Sequence, residues 1–144
     1  IYNETLRDRI CAVSNKTHYN EMNVLSMHAL IGAYQPQGYE WVDELNQVLA
    51  GNIEYFCDYV DEHFEGVSYS RPQGTYMVFL DCTEWCREHG RDIQWLLDEG
   101  ARVGVGYQDG RPFHGPCHIR VNLALPLSRV REACDRLDRY VFGV

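Results

Sequence analysis

The chain has 144 residues, 45% of them hydrophobic, and a charged fraction of 24%, enough apolar material to bury one core. Thirteen basic against 21 acidic residues leave a net charge of -8, and the arginines are scattered, which disfavours a nucleic-acid backbone or an anionic membrane as partner. No apolar run approaches a membrane span and no signal-peptide pattern is present, so a soluble cytoplasmic protein is expected.

Residues 4 to 14 form a short amphipathic stretch, followed by a much more apolar segment from Met22 to Tyr34. Nine of its thirteen residues are apolar (Met22, Val24, Leu25, Met27, Ala29, Leu30, Ile31, Ala33, Tyr34) and occupy every side of a helix, which therefore needs cover all round. Gln35-Pro36-Gln37-Gly38 reads as the breaker that stops it. Trp41, Leu45, Val48, Leu49, Ile53, Phe56, Val60 and Phe64 then recur at steps of three and four. They predict one core-facing stripe on a helix about 36 Å long at 1.5 Å per residue.

After Gly66 the period changes. Thr75 to Leu80 is a continuous run of β-formers between Gly74 and Asp81, and predicts a central strand covered on both faces. Asp92 caps a short helix through Trp95, Leu96 and Leu97, which Gly100 ends in the left-handed position. Val103 and Val105 suggest a second strand. In His118 to Leu125, Ile119, Val121, Leu123 and Leu125 fall on one face of a strand, with His118, Arg120, Asn122 and Ala124 on the other. Pro126 ends it, and Ser128 caps a final helix in which Leu127, Val130, Cys134, Leu137 and Val141 repeat. The expected fold is α/β in the α+β sense: a small, mainly antiparallel or mixed sheet covered by helices on one face.

Six irregularly spaced cysteines do not form a disulfide framework. Cys82 with Cys86, and Cys117 between His114 and His118, contain zinc-ligand residue types without the paired short spacing of a structural site, so no metal is expected. Gly104 to Gly110 fits no P-loop and reads as a loop after a strand. Arg120 is the best candidate for chemistry, because a guanidinium grips a carboxylate by two parallel hydrogen bonds, although an arginine on a solvated sheet face is the commoner case.

Four segments resemble the class I/II aminotransferases in order and spacing: Asn23-Val24-Leu25-Ser26; Trp41 to Leu45 with Gly51-Asn52-Ile53; Pro72 to Asp81; and Ile119-Arg120-Val121-Asn122-Leu123-Ala124-Leu125-Pro126. The resemblance is closest to the cystathionine β-lyase-like branch. It implies a fold type I pyridoxal-phosphate enzyme with a large cofactor-binding domain and a small C-terminal domain. Residues 1 to 38 would be helices at the edge of the large domain, and residues 39 to 144 the small, substrate-binding domain. Arg120 would bind the α-carboxylate of an amino-acid substrate, with Asn122 as its neighbour, while the segment ending in Phe113-His114-Gly115 would lie near the mouth of the site.

The resemblance also implies a Schiff-base lysine in a Ser-x-x-Lys type motif upstream of Ile1. The single lysine, Lys16, stands in Ser14-Asn15-Lys16-Thr17 and has no such role. The chain opens on Ile1 and is expected to be a piece of a longer homodimeric enzyme, with pyridoxal phosphate held by the missing N-terminal domain. The piece itself is expected to bind no cofactor, to have no catalytic residue and to be inactive. Transamination and β-elimination of a thiol both begin with loss of the Cα proton and remain open. Two other readings are an effector-sensing aminotransferase-like domain of a transcriptional regulator, and an unrelated interaction module.

Overall fold

A computed structural model describes residues 2–18 and 21–144; Ile1, the start of the segment expected to border a large domain, lies outside them. The chain divides into two compact units, Ile1–Asp43 and Glu44–Val144.

The first unit is helical. Helix α1 (Glu4–Thr17) opens on Asn3, whose side-chain oxygen accepts the Leu6 N–H at 2.9 Å, and closes at His18 in the left-handed region (φ 52°). Helix α2 (Val24–Ala33) is capped by Asn23, which accepts from the Ser26 N–H at 2.9 Å. As the all-round apolar pattern suggests, α2 lacks a wet face of its own, yet none of its residues is buried; Leu25 is 82% exposed and Ile31 54%.

Helix α3 (Pro36–His63) begins only two residues after α2 ends. The segment expected to be a breaker loop is thus the first turn of the next helix, because proline lacks the N–H that this turn leaves unpaired anyway. Gly38 permits the tight join: a Cβ there would lie 1.9 Å from the Ala33 carbonyl oxygen. The expected stripe on α3 is buried only in its second half. Phe56, Cys57 and Val60 are buried, as is Phe64 just beyond, whereas Trp41 and Val48 are 62% and 54% exposed.

The second unit contains a four-stranded antiparallel sheet in the order β1 (Ser68–Tyr69), β2 (Met77–Asp81), β4 (His118–Asn122), β3 (Gln108–Asp109). Val78 and Leu80 of β2 and Ile119 and Val121 of β4 project from one face into a core with Phe56 and Val60 of α3, Leu96 of α5 (Ile93–Arg102), and Val130, Cys134 and Leu137 of α6 (Leu127–Leu137). Helices cover that face, as expected. The central position of β2 also holds, but the strand is shorter than Thr75 to Leu80, and its alternate residues Met77, Phe79 and Asp81 are only half-buried. Thr75 sits at φ 101°, outside any strand conformation.

Several local expectations are corrected. Val103 and Val105 form no strand: α5 runs on to Arg102 and reverses through Gly104 (φ 76°), and the strand is Gln108–Asp109 instead. Gly100 lies inside α5, where an added Cβ would come within 2.5 Å of the Tyr107 ring, so it serves close packing rather than a cap. Asp92 does cap α5, accepting the Trp95 N–H at 2.8 Å. A further helix, α4 (Thr83–His89), was not foreseen; Asp81 Oδ1 starts its chain reversal by accepting from the Thr83 N–H.

Strand β4 ends at Asn122 rather than Leu125 because the Asn122 side chain accepts the Ala124 N–H at 2.8 Å and turns the chain, leaving Leu125 47% exposed. Helix α6 starts at Leu127 with Pro126, not Ser128, in the cap position, and passes into a π-helical turn over Asp138–Phe142. No helix among the described residues is long and apolar enough to cross a membrane.

Candidate functional site

Asp81 of β2 and His118 and Arg120 of β4 share the face of the sheet turned away from the buried core residues. On β4 the side chains alternate, so burying Ile119 and Val121 puts His118 and Arg120 on the other side. Arg120 pairs with Phe79 of β2 and with Gln108 of β3. Its Nε donates to Gln108 Oε1 at 2.7 Å and its Nη2 to the same oxygen. The guanidinium carbon lies 4.0 Å from the centre of the Phe113 ring, over its face, a cation–π contact. Phe113 belongs to a 3-10 turn, Arg111–Phe113, within the stretch read from sequence as loop.

Among the described residues no carboxylate pairs with Arg120. Its neighbours are one amide oxygen and one aromatic face, and a single neutral acceptor does not saturate five N–H donors. Asn122 is not brought into the same arrangement: its oxygen is committed to the Ala124 turn. It lines a cavity of about 360 Å³ together with Val105, Leu123, Arg129 and Arg136, and Arg120 does not line that cavity.

Sequence reasoning placed His118 on the Arg120 face but gave it no role, and read Asp81 only as the end of its strand. Two residues back on the same face, His118 packs against Phe79 with ring centroids 4.6 Å apart and the rings tilted by 34°, and its Nε2 lies 3.7 Å from Asp81 Oδ2. Its Nδ1 is buried without a hydrogen-bond partner among the described residues. Gly115 is required beneath it, since a Cβ there would come within 2.5 Å of the Phe79 ring and 2.6 Å of the His118 Cβ. The signal was available in the alternation that singled out Arg120, which places residue 118 on the same face.

Asp81 also accepts from Thr83, through the N–H at 2.9 Å and the hydroxyl at 2.5 Å. Burial alone would raise its carboxyl, but the two Thr83 hydrogen bonds and the neighbouring His118 together hold it below the ordinary carboxylate range. A group whose pKa falls on folding contributes stability above its unfolded value and loses it as pH drops through the folded one. Thr83→Val should therefore move the Asp81 midpoint upward, toward the ordinary range, in a titration followed by carboxyl-carbon NMR. An unmoved midpoint would show that the hydroxyl does not contribute.

Among the described residues no group of three or more His, Cys, Asp or Glu side chains could hold a metal ion. Cys57, Cys82, Cys86 and Cys134 are buried, and burial pushes the Cys86 and Cys134 thiols up to about 12. The residues present do not fit pyridoxal phosphate either. Lys16, the one lysine, is exposed on the last turn of α1, in the other unit from Arg120. No step involving that cofactor can be built from these side chains.

No model of a known protein family matches the chain. A provisionally named cystathionine β-lyase of Mycobacterium leprae is 35% identical over 118 residues, covering 71% of this chain and 28% of that protein. The chain thus spans little more than a quarter of the length of this curated relative. Among solved structures, a provisionally named aminotransferase from Clostridium difficile 630 with pyridoxal phosphate bound superposes with a TM-score of 0.78 at 23% identity, over 96% of this chain and 35% of that one. A pyridoxal-phosphate-bound C-S lyase from Staphylococcus hominis gives 0.77 at 23%, with the same coverage. In sequence and in fold the chain is similar to a C-terminal part of fold type I proteins of the aminotransferase and C-S lyase kind.

Proposed function

We propose that this chain supplies the substrate-carboxylate clamp of a pyridoxal-phosphate enzyme acting on amino acids, an aminotransferase or a carbon–sulfur β-lyase. The observation that carries the reading is Arg120: a guanidinium on the face of the sheet turned away from the buried core, over the Phe113 ring and without a carboxylate partner among the described residues. Gln108 occupies one edge of it as a neutral acceptor, and a substrate carboxylate can take the rest through paired charge-assisted hydrogen bonds. Fixing the carboxylate fixes the direction of the Cα–H bond, which is the service a substrate-binding domain performs. Asn122 shapes the strand end next to it. On this reading residues 1–38 edge a large domain, residues 39–144 form the small one, and the lysine and cofactor-holding groups come from elsewhere in a longer cytoplasmic protein. Its test is to supply that full-length protein with pyridoxal phosphate and sulfur-containing amino acids. Release of a thiol, ammonia and a 2-oxo acid marks the lyase, amino transfer to an added 2-oxo acid marks the aminotransferase, and neither reaction refutes the proposal.

The bare apolar surface of α2 leads to the second part of the proposal, self-association. Several hundred Å² of exposed apolar area at about 25 cal/mol per Å² is a driving force of roughly 10 kcal/mol before the entropy of association. With Leu25, Leu30 and Ile31 all exposed, the chain should sediment as a dimer or larger, and Leu25→Glu should shift it toward monomer. A monodisperse monomer at high micromolar concentration would contradict this.

A further inference from the structure

The Cys86 and Cys117 thiols lie close enough to influence one another's titration. The backbone places them independently. The Cys82 N–H donates to the Cys117 carbonyl at 2.9 Å, docking residue 117 against the first turn of α4. The Cys86 N–H returns to the Cys82 carbonyl at 2.9 Å, so Cys86 stands one turn further along the same side of the helix. Helix side chains lean toward the N-terminus, which carries the Cys86 sulfur back over the turn where Cys117 docks. The two differ in access: Cys86 is 5% exposed, whereas Cys117 is half-buried.

We infer that Cys86 and Cys117 form a reversible disulfide when the protein meets a hydroperoxide, with Cys117 as the sulfur oxidised first. The Cys117 thiolate attacks a peroxide oxygen; the S–O bond forms, the O–O bond breaks, and with the thiol proton the departing oxygen leaves as water. Cys86 sulfur then attacks the Cys117 sulfur; the S–S bond forms, the S–O bond breaks, and the hydroxyl leaves with the Cys86 proton as a second water. Two thiols give up two electrons and one hydrogen peroxide is reduced. The order follows from access and from burial, which leaves Cys86 little thiolate with which to begin. The cross-link pins the entrance of β4, three residues before Arg120, to α4. It does not depend on the carboxylate reading and is tested without activity.

The chain carrying Cys11→Ser, which removes an exposed thiol able to join two molecules, is treated with one equivalent of hydrogen peroxide and alkylated. Before alkylation the intact mass should fall by two hydrogens, and after it the protein should carry two fewer alkyl groups than the reduced control. Peptide mapping should show Cys86 linked to Cys117, and dithiothreitol should reverse the link. Adding Cys86→Ala should abolish the link and leave oxygen on Cys117; adding Cys117→Ser should leave Cys86 reduced. The unvaried pair in the peptide map decides the matter even where a variant fails to fold. Oxygen retained on Cys117 without a link, a bond to any other cysteine, or no mass change would each overturn the inference.

Discussion

Replacing Asn52 by aspartate should destabilise the second unit by about 3 kcal/mol or more, since it turns a buried donor into an acceptor facing two other acceptors. Asn52 is 1% exposed, and its Nδ2 donates to the carbonyls of Leu123 and Leu125, each at 2.8 Å. Those carbonyls lie just past the end of β4, where the chain has left the sheet. The amide of a helix residue therefore stands in for a strand. Aspartate has no N–H to offer: ionised, it places a charge beside two carbonyl oxygens in a dry site, and protonated, it satisfies only one of them. Asn52→Leu restores apolar bulk but leaves both carbonyls unpaired and should lose nearly as much. Urea unfolding with an unchanged slope and a lowered midpoint is the expected result, and a loss under about 1 kcal/mol would show that water replaces the amide.

This contact also shows where sequence reading stops. Asn52 was visible as one residue of a helix built around an apolar stripe, and nothing in its neighbours pointed to carbonyls 71 and 73 positions away. Periodicity found α3, α5, α6 and the two central strands because each buries one face, and burial writes a period into sequence; α1 and α2 were read from amphipathic and apolar composition, although α1 buries only Ser14 and α2 nothing. It failed where hydrogen bonds rather than burial decide the path. Helix α4 follows from an Asp81–Thr83 turn, β3 is two residues long, and β4 stops on the Asn122 side chain. It failed again at Gly100 and Gly38, where a missing side chain answers a neighbour distant in turn or element, Tyr107 in one case and the Ala33 carbonyl in the other.

For the candidate site, Arg120 was legible through alternation and through a motif that spans its strand. Its surroundings were not. Gln108 and Phe113 come from a strand and a turn that looked like plain loop, and His118 and Asp81 gain meaning only once register sets them opposite each other. Antiparallel pairing is a long-range fact, and connections of this length left the partners open.

The proposed role of Arg120 makes the largest demand on activity. Truncating one partner of a desolvated charge pair costs about 2–5 kcal/mol, so Arg120→Ala in the full-length protein should lower kcat/KM for its amino acid by roughly 30- to 5,000-fold. Arg120→Lys keeps the charge but loses the planar fork and the guanidinium contact with the Phe113 ring, and should recover only part of the loss. A structural role would not produce this ranking, nor would it spare a substrate analogue that lacks the carboxylate. The decisive measurement is therefore the ratio of kcat/KM for an amino acid to that for its decarboxylated amine, in wild type and in Arg120→Ala. The clamp predicts a ratio that collapses in the variant because only the amino acid loses rate; an equal loss for both, or no loss for either, would contradict it.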